Sequence, residues 1–237
     1  YLCARLLNNT SMAKKDTDKI YEAELRVEAK ARGFFEKNSK IIAGITVVAI
    51  LVIILGYGYK QMILGPKEAK AQTQMIRAQQ YFEMDSFNLA LNGDGVSQGF
   101  KDIVSQYGST KAGNGAKFYA GVSALQSGDF KGALEYLESF STDDAMLNAR
   151  KYGCIGDAHA ELKDMVAAES NYSKAVDADA DNTITAPFYL YKLAKSQVEN
   201  KKTDDAIKNL EALTEKFPTT PEGTIAQIDL AKLQASK

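Results

Sequence analysis

Residues 41–59 read IIAGITVVAILVIILGYGY, nineteen in a row without a formal charge, bracketed by Lys40 and Lys60. At about 1.5 Å of rise per residue, a helix of this length crosses most of a hydrocarbon core roughly 30 Å thick, and Gln61–Leu64 can extend it. The competing readings are a buried core helix and a cleavable leader. The run is longer than the apolar part of a leader, and Met12 stands well upstream of it, so the sequence predicts one membrane-spanning helix over 41–64. Tyr57 and Tyr59 stand at its end, where aromatic rings suit an interface.

Charge is distributed unevenly about this run. Residues 1–40 carry nine Lys/Arg against six Asp/Glu, and residues 60–237 carry 20 against 24. Arg26, Lys30, Arg32, Lys37 and Lys40 precede the span closely, whereas Lys60, Lys67 and Lys70 follow it, which places the N-terminus inside. In a Gram-negative cell the large domain is then periplasmic. An acidic main domain excludes nucleic acid as the partner, because phosphate neutralisation needs clustered cations.

Met12-Ala-Lys-Lys reads as a start, so residues 1–11 are expected to be an upstream extension; residues 12–40 form a cytoplasmic N-terminal helix. Ile20, Tyr21, Leu25, Val27, Phe34 and Phe35 give that helix its apolar side, and Gly33-Phe34-Phe35 is expected to mark its junction with the span. Residues 65–237 form the remaining domain. Ala, Leu, Lys and Glu are abundant there and Trp is absent, which favours helix over sheet.

That domain repeats itself. Ala120-Gly121…Gly128-Asp129-Phe130…Ala133-Leu134, Ile155-Gly156…Lys163-Asp164-Met165…Ala168 and Leu193-Ala194…Lys202-Thr203…Ala206-Ile207 each pair a small residue, a polar turn and a second helix. Ala133, Ala168 and Ala206 lie 35 and 38 residues apart. The spacing resembles the tetratricopeptide repeat (TPR), a helical hairpin in which small residues let two helices approach. Tyr172, Ala175 and Pro218 fit that pattern; Lys117, Tyr152 and Leu190 stand where the family has Trp, and Phe140 where it has Ala. A weaker first hairpin runs from Ala78 through Tyr81-Phe82 to Phe87–Ala90, with its second helix over Gly99–Tyr107 after a Gly-rich insertion. Residues 177–185 are expected to form a lengthened loop and Pro221–Ala235 a capping helix. The fold class is therefore all-α: a TPR-like helical-hairpin solenoid preceded by one transmembrane helix.

No arrangement for chemistry is visible. His159 stands alone, there is no HExxH, phosphate loop or EF-hand loop, and Asn92–Gly95 and Asp177–Asp181 read as solvated loops. Cys3 and Cys154 are too distant in sequence to frame a disulfide or zinc site, so both are expected to be free thiols. The chain is not expected to be an enzyme and needs no cofactor or metal. The TPR resemblance implies a protein-binding groove on the first helices, carried by Phe118 and Val122, Arg150 and Asp157, and Tyr191 and Lys195.

The layout as a whole, with Phe34-Phe35-Glu36-Lys37-Asn38 ahead of the span and the repeats behind it, resembles the ancillary subunit family of the bacterial Sec translocon. Membership implies a single-pass inner-membrane protein whose partners are Sec translocon subunits, periplasmic chaperones or client chains. The other reading is a TPR scaffold in outer-membrane assembly, secretion or gliding machinery, because Gly99–Ser109 resembles the repeats of outer-membrane assembly lipoproteins.

Overall fold

The computed structural model describes the backbone of residues 2–235 and the side chains of residues 26, 28, 30 and 32–235. The expectations for Cys3 and for the side chains of Ile20, Tyr21, Leu25 and Val27 lie outside the described side chains, as does residue 1 altogether. Among those described there is no strand, and the chain forms two units, 1–63 and 64–237.

The first unit is one helix, α1 (Leu2–Tyr59), followed by a π-helical turn (Lys60–Leu64). Helix α1 runs unbroken through Gly33: a helix-interior Gly costs about 1 kcal/mol against Ala, which flanking helix formers cover. From Ile41 to Leu55 no large aliphatic side chain is buried, and Leu55 is 71% exposed. A core helix would hide this surface; each such side chain left in water forgoes roughly 1.5–3 kcal/mol. Thr46, the single hydroxyl in that stretch, donates to the Ile42 carbonyl at 2.8 Å, so no side-chain polar group there is left unpaired in apolar surroundings. The helix is long and apolar enough to cross a membrane.

The second unit contains α2 (Gly65–Glu83), α3 (Phe87–Asn92), α4 (Phe100–Tyr107), α5 (Lys111–Gln126), α6 (Phe130–Ser139), α7 (Ala145–Glu161), α8 (Met165–Ala178), α9 (Thr185–Glu199), α10 (Thr203–Lys216) and α11 (Pro221–Ala235). Four three-residue turns, after α2, α5, α7 and α9, are built alike. Asp85, Gly128, Lys163 and Lys201 occupy the left-handed region, with φ of 54°, 83°, 66° and 60°. The next residue in each turn bonds back five positions: Ser86 N–H to Tyr81 O (2.8 Å), Asp129 to Ala124 (2.9 Å), Asp164 to His159 (2.9 Å) and Lys202 to Gln197 (2.8 Å). These bonds satisfy carbonyls that a helix end would otherwise leave orphaned.

Counting from those turns gives the packing rule. Seven residues earlier stand Ala78, Gly121, Gly156 and Ala194; five later stand Ala90, Ala133, Ala168 and Ala206, and all eight are buried. Small side chains at both places bring the paired helices into close approach. Asp129, Asp144 and Asp164 then start α6, α7 and α8 by accepting the N–H three residues on, at 3.0, 2.8 and 3.0 Å.

The first hairpin departs from this scheme. Its returning helix is divided into α3 and α4 by residues 93–99. Nine residues after the turn, where later hairpins place Leu137, Tyr172 and Leu210, it has Asp94. Asp94 accepts from Ser97 N–H at 2.6 Å, Tyr81 hydroxyl at 2.7 Å and Val96 N–H at 2.9 Å. Those donors, Ser97 foremost, lower its pKa from 3.8 to about 2. A depressed carboxylate stabilises fully above its unfolded value and loses that contribution as pH falls through the folded one. Stability of the wild-type protein is therefore expected to gain a component that disappears between pH 3.8 and about 2. Asp94→Asn should remove that component from an acid denaturation curve; unchanged pH dependence would sink the assignment.

One further expectation is corrected. The lengthened loop is shorter than expected, because α8 runs through Ala178, and Asp181 pairs with Lys216 at 2.8 Å. Phe140 ends α6 and packs on Phe118 with centroids 5.3 Å apart. The hairpins bury two cores. One gathers residues of α2–α7, such as Phe100, Ile103, Leu137 and Ile155; the other gathers α7–α11, such as Tyr172, Leu193, Leu210 and Leu213. Among the described helices the backbones of α2–α6 and α8–α11 are joined through α7, Tyr152 packs against both cores, and Leu125 and Phe130 share a hollow with Tyr172 and Lys192.

Candidate protein-docking cleft

An open, mainly apolar hollow lies where α7, α9 and α11 begin. Met146 and Arg150 sit one turn apart on α7, Ile184 precedes α9 and Phe188 follows in its first turn, and Glu222 comes from the start of α11. With Thr185 and Tyr189 they line a cleft of about 370 Å³. Ile184 is 74% exposed and Phe188 41%, surface that the protein itself does not cover. Arg150 and Glu222 form no ion pair among the described residues and flank the apolar floor with opposite charge. An apolar hollow edged by free charges is suited to anchor one apolar side chain of a polypeptide and orient its polar neighbours.

The six residues expected to form the groove all lie on α5, α7 and α9, but only Arg150 reaches this cleft. Phe118 is half-buried against Phe140, and Val122 is half-buried on the same helix. Asp157 is committed within the protein: it accepts from Lys192 Nζ at 2.6 Å and Tyr172 hydroxyl at 2.7 Å. Lys192 in turn lies 4.6 Å from the Phe188 ring centroid, tying this pair to the cleft wall. Tyr191 donates to Asp229 at 2.9 Å, and burial together with that carboxylate pushes its pKa up to about 12. Lys195 is exposed beside a smaller hollow of about 280 Å³ shared with Asp229, Lys232 and Leu233. Sequence reasoning missed Met146, Ile184, Phe188 and Glu222; the Ile184–Phe188 spacing of one helical turn was the available signal.

His159 is partly buried, with its Nδ1 3.8 Å from Asp164 Oδ2. Cys154 is a free thiol whose pKa burial, aided by Asp157, raises to about 12, which suppresses the nucleophilic thiolate. Among the described residues no group of three or more His, Cys, Asp or Glu could hold a metal ion.

Family models of the tetratricopeptide repeat match residues 120–183 and residues 189–220. The hairpins are TPR-like. A kinesin-light-chain-type protein of Podosopora anserina with nearly identical TPR-like repeats shares the fold, with 14% identity, a TM-score of 0.55, and coverage of 70% of this chain and 86% of its own. A point variant of that protein superposes with a TM-score of 0.56 at 14% identity, over 70% of this chain and 85% of its own. No curated protein matches the chain at a significant level. TPR repeats generally mediate contacts between proteins; of the residues lining the cleft, Met146, Arg150 and Tyr189 lie within the matched segments, and Ile184, Thr185, Phe188 and Glu222 lie outside them.

Proposed function

We propose that this chain is a non-catalytic, membrane-anchored module that binds other proteins through its TPR-like hairpins. The observation that carries the reading is the pairing, in one chain, of a fully exposed apolar helix with a hairpin stack whose cleft offers Phe188, Ile184, Met146 and a free Arg150. Anchoring confines the cleft near the membrane and raises the effective concentration of any segment presented there. The Lys/Arg bias ahead of the span supports a cytoplasmic N-terminus, a single pass of the bacterial inner membrane and a periplasmic hairpin domain. Residues 1–11 remain an upstream extension in this reading, with 12–40 cytoplasmic, 41–64 spanning and 65–237 periplasmic. The protein then acts as an accessory factor of the Sec translocon, linking channel subunits to periplasmic chaperones or emerging chains.

Of the six groove residues expected from sequence, we assign direct partner contact to Arg150 foremost, with Phe118, Val122, Asp157, Tyr191 and Lys195 shaping and stiffening the surrounding helices. In-cell crosslinking, mild-detergent purification and mass spectrometry test the reading. Channel subunits are expected with the full-length chain and should be lost when residues 12–64 are removed. Outer-membrane assembly, secretion or gliding components without the channel would replace this reading by the scaffold one. Phe188→Ala and Arg150→Glu should each weaken capture of the principal crosslinked partner about tenfold or more, as loss of a central anchor does. Capture indifferent to both would move the contact elsewhere on the hairpins.

A further inference from the structure

The side of α7 that borders the docking cleft continues past it. Met146 and Arg150 line the cleft, and farther along the helix Asp157 and Glu161 line a second hollow, of about 480 Å³. Steps of four, seven and four residues, from Met146 to Arg150 to Asp157 to Glu161, keep these side chains on one helix face. α9 packs against α7 and repeats the arrangement: Phe188 walls the cleft, and Lys192, one turn on, lines the second hollow. Lys192 Nζ lies 4.6 Å from the Phe188 ring centroid and 2.6 Å from Asp157 Oδ1, so one ion pair joins the wall of the first hollow to that of the second.

The two hollows ask for different side chains. The cleft offers the exposed apolar surface of Ile184 and Phe188. The second hollow has an apolar rim from Leu125 and Phe130, at the turn between α5 and α6, and is lined by three charges, Asp157, Glu161 and Lys192. Lys192 is spent on Asp157, which also accepts from the Tyr172 hydroxyl at 2.7 Å. Glu161 is exposed and forms no ion pair among the described residues, so the second hollow keeps one carboxylate in excess. A cation entering it meets that carboxylate, while the apolar rim covers its stem. Met146 to Asp157 and Arg150 to Glu161 are both steps of eleven residues, which offsets the hollows by roughly 16 Å along α7 at about 1.5 Å per residue. An extended chain covers that distance in about five residues at roughly 3.3 Å each.

We propose that the segment this domain binds is an extended polypeptide with a bulky apolar side chain for the cleft at Phe188 and, about five residues away, a Lys or Arg for the hollow at Glu161. This partner chemistry rests on the docking function proposed above and is independent of the translocon assignment. Hollows of about 370 and 480 Å³ suit one side chain each, whereas a helix is about 10–12 Å across. A helical partner would also need the same two side chains about eleven residues apart, so the spacing of the pair separates the two modes. An acidic segment meets like charge at Glu161. Lys192 and Asp157 act as positioning residues, since their charges are paired with each other and hold the shared wall.

The probe is a phage-displayed library of random peptides, long enough for either spacing, panned on the full-length chain in detergent after removal of phage that bind Phe188→Ala. Enriched sequences are expected to share an apolar residue and a Lys or Arg about five positions apart. A fluorescein-labelled copy of the most enriched peptide, read by anisotropy, should bind Glu161→Lys about fivefold or more weakly, with the difference shrinking at high salt. The same peptide with Glu in place of its cation should reverse that order and prefer Glu161→Lys. Glu161 is exposed, so circular dichroism should show its variant folded. Enriched peptides that keep the apolar residue but lack the cation, that place it at the helical spacing, or whose affinity Glu161→Lys leaves unchanged would overturn the proposal and leave the cleft standing. If nothing remained once the Phe188→Ala binders were removed, both the proposal and the cleft would fall.

Discussion

Leu137→Ala is expected to cost about 2–5 kcal/mol, the range for removing a fully buried leucine whose surroundings relax only in part. Leu137 has no exposed surface and lies against Gly121, where an added Cβ would come within 2.5 Å of its Cγ. Gly121→Ala alone should therefore also destabilise, by about 1–3 kcal/mol for a forced shift in a packed core. In the double variant the methyl fills part of the space the leucine vacated, so the two penalties should sum to more than the measured total. Urea denaturation of the four proteins in the cycle gives the coupling directly. Strict additivity would mean that α5 and α6 do not meet as described.

Gly153→Ala is the second large effect. Its Cβ would fall 2.0 Å from Tyr189 Cε1 and 2.6 Å from the Tyr189 hydroxyl oxygen, and Tyr189 is held almost wholly buried. The ring must leave its place, at about 1–3 kcal/mol, which for a domain of this size lowers Tm by roughly 2–4 °C per kcal/mol. Gly115→Ala supplies the contrast: on α5 the added methyl meets nothing within 4 Å. Relief from the flexibility of glycine should make that variant more stable by about 0.5–1 kcal/mol. Thermal melts that rank Gly153→Ala at or above Gly115→Ala would contradict the packing of α9 on α7.

Much of the hairpin fold could be read because it depends on smallness at fixed intervals. Ala133, Ala168 and Ala206 have to be small wherever a helix closes on its partner, and that demand survives without the family's Trp. The first hairpin was harder to see. Its returning helix is broken, and Asp94 stands where periodicity calls for a large apolar residue, its carboxylate occupied by Tyr81 and the turn amides. At Gly33 the helix gives no local sign of a junction, since one glycine does not end a helix whose neighbours favour it. The docking cleft was obscured for a third reason: Met146, Ile184 and Phe188 come from the beginnings of separate helices, so no single periodic stripe contains them. The groove residues chosen from the hairpin pattern were on the right helices, yet Asp157 and Tyr191 spend their polar groups on Lys192, Tyr172 and Asp229.

The joining of the two halves' backbones through α7 gives the domain a weak link in series. In a stack whose elements touch only their neighbours, each block can open on its own, and cooperativity extends no further than the interface that couples it to the next. The amides of α8–α11 can thus exchange in openings that leave α2–α6 closed, and the reverse. Strain imposed on α8–α11 reaches the first hairpins chiefly by way of α7 and the Tyr152 ring, so this one helix sets how far news of binding travels along the protein.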